Sequence, residues 1–446
     1  MLELLSMDRI QKFLSDINTL LSDPIIPVSG YALSVIRNGH IVYEHQEGFR
    51  RIDNEDPSKN LPMERDTRYR IASISKVFTA IAVMQLADQG KIDIDDDISN
   101  YLGFPLRNPY YPDIVITARQ MMSHISSIRD GSVYSIPPDV HIKECFLPQG
   151  RYYKNAEHFA SPEGGKERGP GKYYTYSNLN FGILGTVVEQ LSGERFDRYM
   201  RDHVLLPMSI HASYNVGDFN ANQIHNVATI YKRFGNGVWA VDKPWCAQID
   251  DYRDEVQPHE VISINNPDLA ADYKVDITGY KIGTNGTIFS PQGGLRISAH
   301  ELALAIEMFL NNGVAITGKR ILSKDAITQM EKPVWYYQPE LDNRDVTDSS
   351  HCYGTGLEII SSQLGGGQLV VNAKDIVYYG HLGSAYGLIS ACYFDPIHKN
   401  GFAYAFNGLG ASNEIDENRG VNRGLYSERS VWHDRMMTAI YNNLLS

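Results

Sequence analysis

Asn38-Gly39 separates two β-rich runs, GYALSVIR and HIVYEHQEG, and an Asn-Gly pair so placed is the strongest short hairpin signal a sequence carries. The other β-rich runs sit at the far end of the chain, near 354–360, 368–371, 375–379, 385–394 and 401–406. Between them the apolar periodicity is helical, over 74–88, 117–124, 179–191 and 298–311. Residues 6–21 put Ile10, Phe13, Leu14, Ile17, Leu20 and Leu21 on one face of a first helix, and 431–445 form a last one. A sheet that begins at one end of a chain and finishes at the other must close around whatever the middle builds. The strand order is meander-like, so the expectation is an α+β fold, an antiparallel sheet flanked by helices with an all-helical lobe inserted. The expected division is an α/β lobe from 1–95 and 285–446, a helical lobe over 96–207, and an elaborated insertion over 208–284. That insertion is the least periodic part of the chain, and 131–172 reads as loop.

Composition removes some functions. A net charge of −12, with no clustering of basic residues, argues against nucleic acid or an anionic membrane as the main partner. No apolar stretch reaches the roughly 20 residues of a membrane span. The N-terminal residues read as an amphipathic helix rather than a secretory leader, which gives an expectation of a cytoplasmic protein. Cys145, Cys246, Cys352 and Cys392 lie far apart without metal-like spacing, as expected of reduced structural thiols.

Chemistry concentrates at the head of helix 74–88, where one lysine, Lys76, opens the apolar run VFTAIAVMQLADQG. A lysine there loses hydration, and its pKa falls. Ser73 lies three residues earlier, on the same helical face. A serine at a helix N-terminus has a free backbone N–H where an oxyanion would develop, and a partly neutral lysine one turn on can take its proton. The bland alternative is that Ser73 caps the helix and Lys76 reaches solvent. Tyr176-Ser177-Asn178 precedes the next apolar helix; a phenol can relay a proton and an amide can bind a carbonyl or fix the lysine. Its bland alternative is a surface loop with Asn178 as helix N-cap. His381-Leu382-Gly383 ends a β-rich run, and the glycine lets a ligand approach the backbone.

In this order, SISK, YSN and HLG resemble the motifs of the serine β-lactamase and penicillin-recognising enzymes. The resemblance is closest to the class C β-lactamase-like branch, which also holds esterases, D-aminopeptidases and D,D-peptidases. Ser73-Ile74-Ser75-Lys76 looks like S-x-x-K, Tyr176-Ser177-Asn178 like Y-x-N, and His381-Leu382-Gly383 like K-T-G in its H-x-G form. The likeness runs over about residues 28–410, with 208–290 poorly matched. It implies that Ser73 is acylated, that Lys76 and Tyr176 share the acid–base work, and that Asn178 holds the substrate amide. The oxyanion hole would be the backbone N–H groups of Ser73 and of Ser384, just after Gly383. No metal or organic cofactor is implied, and the substrate is a small molecule or short peptide.

Two departures matter. His381 stands where β-lactamases and D,D-carboxypeptidases of this family usually carry lysine, so the attraction for a free substrate carboxylate is weaker at pH 7. An arginine of the insertion could supply that charge instead. After His124, itself expected to be structural, Ile125-Ser126-Ser127 replaces the more usual threonine-serine-glycine. The expected activity is a serine hydrolase acting on a small ester or amide, peptides with a D-residue included. The rivals are a true β-lactamase or D,D-carboxypeptidase, a D-aminopeptidase with Asp250, Asp251 or Asp254 holding the amine, and a non-catalytic penicillin-binding or sensing protein.

Overall fold

The computed structural model describes residues 5–21, 28–235, 238–239, 242–253, 255–264, 273–346, 348–361, 376–408 and 431–446. Helix α1 (Met7–Leu21) leads to β1 (Gly30–Arg37) and β2 (His40–Arg51). Asn38 and Gly39 both have positive φ, 54° and 80°, as the primed hairpin turn requires. Then come β3 (Leu61–Pro62), α2 (Ser75–Asp88), α3 (Leu179–Ser192) and α4 (Ala299–Leu310). The late strands are β4 (Trp335–Tyr336), β5 (Cys352–Tyr353), β6 (Glu358–Ser361), β7 (Val377–Ala385), β8 (Leu388–Asp395) and β9 (Asn400–Asn407), followed by α5 (Val431–Ile440).

The sheet closes from both chain ends, as expected. Its order is β4-β5-β6-β7-β8-β9-β1-β2-β3, with antiparallel neighbours throughout. The closing pair is β9 with β1, in register from Gly30 opposite Asn407 to Ile36 opposite Gly401. Side chains alternate across this pair. Tyr31, Leu33, Val35, Phe402, Tyr404 and Phe406 point to the face covered by α1 and α5, where Phe13, Ile17, Trp432 and Met436 complete a cluster. The opposite face carries the smaller Ala32, Ala403 and Ala405 and packs into the larger core with α4 and α2. Small residues on that face let the helices approach closely. Within that core α2 is buried almost all round, from Ser75 to Leu86, as a helix apolar on every side must be.

Every regular element between 96 and 207 is helical, and 131–172 holds only short turns. The insertion is more ordered than its sequence reads. Ile230–Gly235 pairs antiparallel with Val238–Trp239 and Trp245–Ile249, and Val261–Ile264 with Tyr273–Asp276. Strands this short, with few alternations, leave little period to detect. A helix at Lys324–Glu331 also escapes the sequence reading. The run at 368–371 lies outside the described residues. His381-Leu382-Gly383 does not end a strand: β7 continues to Ala385, and the turn falls at Tyr386 and Gly387, both with positive φ. No helix among the described residues is long and apolar enough to cross a membrane, and the four cysteines are free thiols.

Candidate active site

Ser73 stands in a single 3-10 turn, Ala72–Ile74, that runs directly into α2. Ala72 adopts a left-handed φ of 54°, a costly conformation for a residue with a Cβ. The strained turn is held by β7 and β8, since the Ser390 hydroxyl donates to the Ile71 carbonyl at 3.0 Å. Here glycine is obligatory at 383. A Cβ at that position would lie 2.3 Å from both the Ile71 carbonyl oxygen and Ser390 Oγ. The missing side chain thus lets β7 pass against the backbone that presents Ser73. Pairing of β7 with β6 reaches only Gly380, so His381–Ala385 flank the site on that side without a strand partner from β6.

Lys76 is fully buried, and its amine has three neighbours: Ser73 Oγ at 3.0 Å, Asn178 Oδ1 at 2.8 Å and the Gln292 carbonyl at 3.0 Å. Burial drives its pKa down to about 7, with the Asp130 carboxylate pulling the other way. A neutral amine has two N–H donors and one lone pair. Asn178 Oδ1 and the Gln292 carbonyl can only accept, so they take both N–H groups and leave the lone pair for the Ser73 hydroxyl. The bland alternatives fail here, because Lys76 does not reach solvent. Nor does the Asn178 side chain cap α3.

That capping falls to Asp130, which sequence reasoning missed. Its carboxylate accepts from the Leu179 backbone N–H at 2.9 Å, the Ser177 hydroxyl at 3.2 Å and Asn178 Nδ2 at 2.8 Å. A carboxylate only accepts, so it fixes the Asn178 amide with Nδ2 toward itself and Oδ1 toward Lys76. Asp130 therefore orients Asn178, which orients Lys76, which addresses Ser73. Nothing local in the sequence marks Asp130, whose partners lie 47 to 49 residues away.

Tyr176 lies over this group, its ring 4.8 Å from the Lys76 amine. Burial raises its phenol well above the ordinary tyrosine value, while a hydrogen bond with Ser73 acts against the rise. It is protonated at neutral pH and can donate. His124 stacks on the Tyr176 ring at 4.3 Å and accepts from the Ser177 N–H at 3.1 Å. Burial, reinforced by Lys76 and His381, holds its pKa well below the usual value, so it is neutral. Its place is structural, as expected. Ser127, where the resemblance implies glycine, has a left-handed φ of 65°. Ser75 is buried and accepts from the Leu295 N–H, which leaves Ser73 as the accessible hydroxyl.

Ser73, Tyr176 and Ser384 line two cavities at once. One, of about 380 Å³, is bordered by Arg70, Tyr134, Asn178, Gln292 and Tyr386. The other, of about 350 Å³, is bordered by Asp348, Tyr353, Glu358, His381, Gly383 and His433. All seven residues named from the sequence, Ser73, Lys76, Tyr176, Asn178, His381, Gly383 and Ser384, therefore meet at one place.

A family model described as Beta-lactamase matches residues 26–424, most of the chain. This chain belongs to the beta-lactamase family. Protein flp of Staphylococcus aureus (strain MW2) is 22% identical over 183 residues, which are 41% of this chain and 34% of that protein, so only about a third of that relative is matched. Among solved structures, a class C beta lactamase from Rhodobacter sphaeroides superposes with a TM-score of 0.61 at 14% identity, covering 98% of this chain and 100% of that one. A D-amino acid amidase from Ochrobactrum anthropi SV3, solved with D-phenylalanine, gives 0.59 at 17% identity, covering 98% and 99%. These two likenesses are likenesses of fold.

Within this beta-lactamase fold, the insertion's charged residues go elsewhere than the sequence suggests. Asp250 is buried in an ion pair with Arg296, at 2.7 and 3.1 Å, and lines neither cavity. Asp251 pairs with Arg253 at 3.0 Å, outside both cavities, and Asp254 lies outside the described residues. Among the described residues, the arginine bordering the cleft is Arg70, three residues before Ser73, and the carboxylates bordering it are Asp348 and Glu358.

Proposed function

We propose that this member of the beta-lactamase family is a serine hydrolase that forms an acyl-enzyme at Ser73. Its substrate is a small ester or amide, D-amino-acid derivatives included. The observation that carries the reading is Lys76: a fully buried amine with a pKa of about 7, its lone pair directed at a hydroxyl 3.0 Å away. The neutral amine takes the Ser73 proton as Oγ bonds to the substrate carbonyl carbon. The carbonyl oxygen becomes the oxyanion, facing the backbone N–H groups of Ser73 and Ser384. As the intermediate collapses, Tyr176, protonated at neutral pH, passes its proton to the leaving oxygen or nitrogen and is reprotonated from Lys76. Water then attacks the acyl group by the reverse sequence of proton moves, releasing the acid and Ser73. Of the two candidate bases, Lys76 fits the first step, because a phenol with a raised pKa supplies little phenolate.

Substrates with a free carboxylate near β7 are disfavoured. His381 is 96% buried beside a cavity that Asp348 and Glu358 border, and no lysine or arginine is among that cavity's described lining residues. This ranks β-lactam and D-Ala-D-Ala hydrolysis below ester and amide hydrolysis. The test is a panel of short-chain p-nitrophenyl esters, D- and L-amino-acid p-nitroanilides, a D-Ala-D-Ala peptide and nitrocefin, run with wild type and Ser73→Ala. Ester or anilide turnover that Ser73→Ala abolishes supports the reading. Ser73 left unmodified by both a fluorophosphonate and a penicillin would overturn it in favour of a binding protein.

A further inference from the structure

The cavity on the Asn178 side of Ser73, opposite the one that His381 borders, holds a charge that the acyl-enzyme chemistry does not use. Arg70 borders it, and no aspartate or glutamate is among its described lining residues. Arg70 is buried and forms no ion pair with any described residue. Arg50, Arg68, Arg195 and Arg296 are similarly buried, and each has a carboxylate within 3.3 Å. Buried charges are normally paired in this way. Asp250, whose carboxylate feels the charge of Arg70, is already held by Arg296 at 2.7 and 3.1 Å and by the Tyr252 hydroxyl at 2.7 Å.

The independent observation is Ser290, which borders the same cavity. Its Oγ accepts from Arg70 Nη2 at 3.3 Å and from Gln292 Nε2 at 3.0 Å. Those donors occupy both lone pairs, so the Ser290 O–H can only donate, and it has no acceptor among the described residues. Ser290 also holds a left-handed φ of 53°, costly for a residue with a Cβ. Arg70 Nη1 is sealed from the cavity, so a ligand meets the charge through the hydroxyl that Arg70 polarises.

We infer that this cavity is an anion site: a carboxylate in the acyl part of the substrate accepts from the Ser290 hydroxyl, with the Arg70 charge behind it. The inference rests on the serine hydrolase reading and narrows its substrates to esters and amides whose acyl group ends in a carboxylate. The other cavity, bordered by Asp348 and Glu358, is unfavourable to that group, so the two flanks of Ser73 sort the ends of the substrate by charge.

Two measurements use the whole chain at constant ionic strength. In the first, kcat/KM for mono-p-nitrophenyl glutarate should exceed that for p-nitrophenyl pentanoate about tenfold. In the second, calorimetric titration should show n-butyrate binding about tenfold more tightly than n-butanol. Arg70→Gln should erase both preferences, and Ser290→Ala, which keeps the arginine, should weaken them about threefold. Equal handling of charged and uncharged probes by wild type would overturn the anion site. So would unchanged preferences in Ser290→Ala, which decides the matter by itself if Arg70→Gln does not fold. If Ser73 proves unreactive, the hydrolase reading falls separately, and the butyrate titration of wild type against Ser290→Ala still decides the anion site.

Discussion

The two sides of Ser73 differ in how their polar groups are satisfied. On one side Lys76 has three partners within 3.0 Å, and Asn178 is fixed in turn by Asp130. On the other, the described cavity lining holds Asp348 and Glu358 with no lysine or arginine, and Asp348 forms no ion pair among the described residues. A fully connected buried network is preorganised for one reaction, because its donors and acceptors need not move as charge develops. An acidic lining instead sets which charges a substrate can bring to the site. The first side is read as chemistry and the second as selectivity, and mutations should separate them.

The largest effect belongs to the nucleophile. Ser73→Ala should lower kcat by about 10⁴-fold or more on every substrate while the thermal unfolding midpoint stays close to wild type. Retained turnover would move the chemistry elsewhere. Next is the contact between strand and turn. Gly383→Ala puts a Cβ 2.3 Å from the Ile71 carbonyl, so β7 or the Ala72 turn must shift, and kcat/KM should fall about 100-fold. A variant with wild-type kinetics would show that this close approach does not position Ser73.

Asp130→Asn acts one layer back and should cost about tenfold in kcat/KM. It also carries a signed pH effect. Asp130 favours the charged form of Lys76, so removing its charge lowers the Lys76 pKa further. Neutral Lys76 is the active form, and the rising limb of the pH–rate profile should move to lower pH. A shift to higher pH, or none, would detach Asp130 from Lys76. The smallest effect is on the selectivity side. His381→Lys places a positive charge in a cavity bordered by two carboxylates, and should improve KM for carboxylated substrates about threefold. Equal or worse handling of those substrates would contradict the charge argument.

What could be read from the sequence follows the same division. Ser73 and Lys76 share one helical turn, and Tyr176 and Asn178 sit at the head of another, so the reactive side is written in local spacing. The sheet was readable because Asn38-Gly39 and the alternating strands carry a period. Asp130 was not, since it acts through three donors on α3 and the loop before it rather than through any neighbour in sequence. Asp348 and Tyr353 lie on an aperiodic stretch and a two-residue strand, where no pattern separates a cavity lining from a surface loop. The misplaced end of β7 has a related cause. Gly383 reads as a breaker in isolation, whereas in the fold its missing Cβ is what lets the strand continue beneath Ile71.

The most direct measurement of the central claim is the rate at which a fluorophosphonate labels Ser73, followed across pH by mass spectrometry in wild type and Lys76→Met. With Lys76 as the base, the wild-type rate rises as pH increases through about 7, and that rise disappears in the variant. The same pH-dependent rise in Lys76→Met would contradict it.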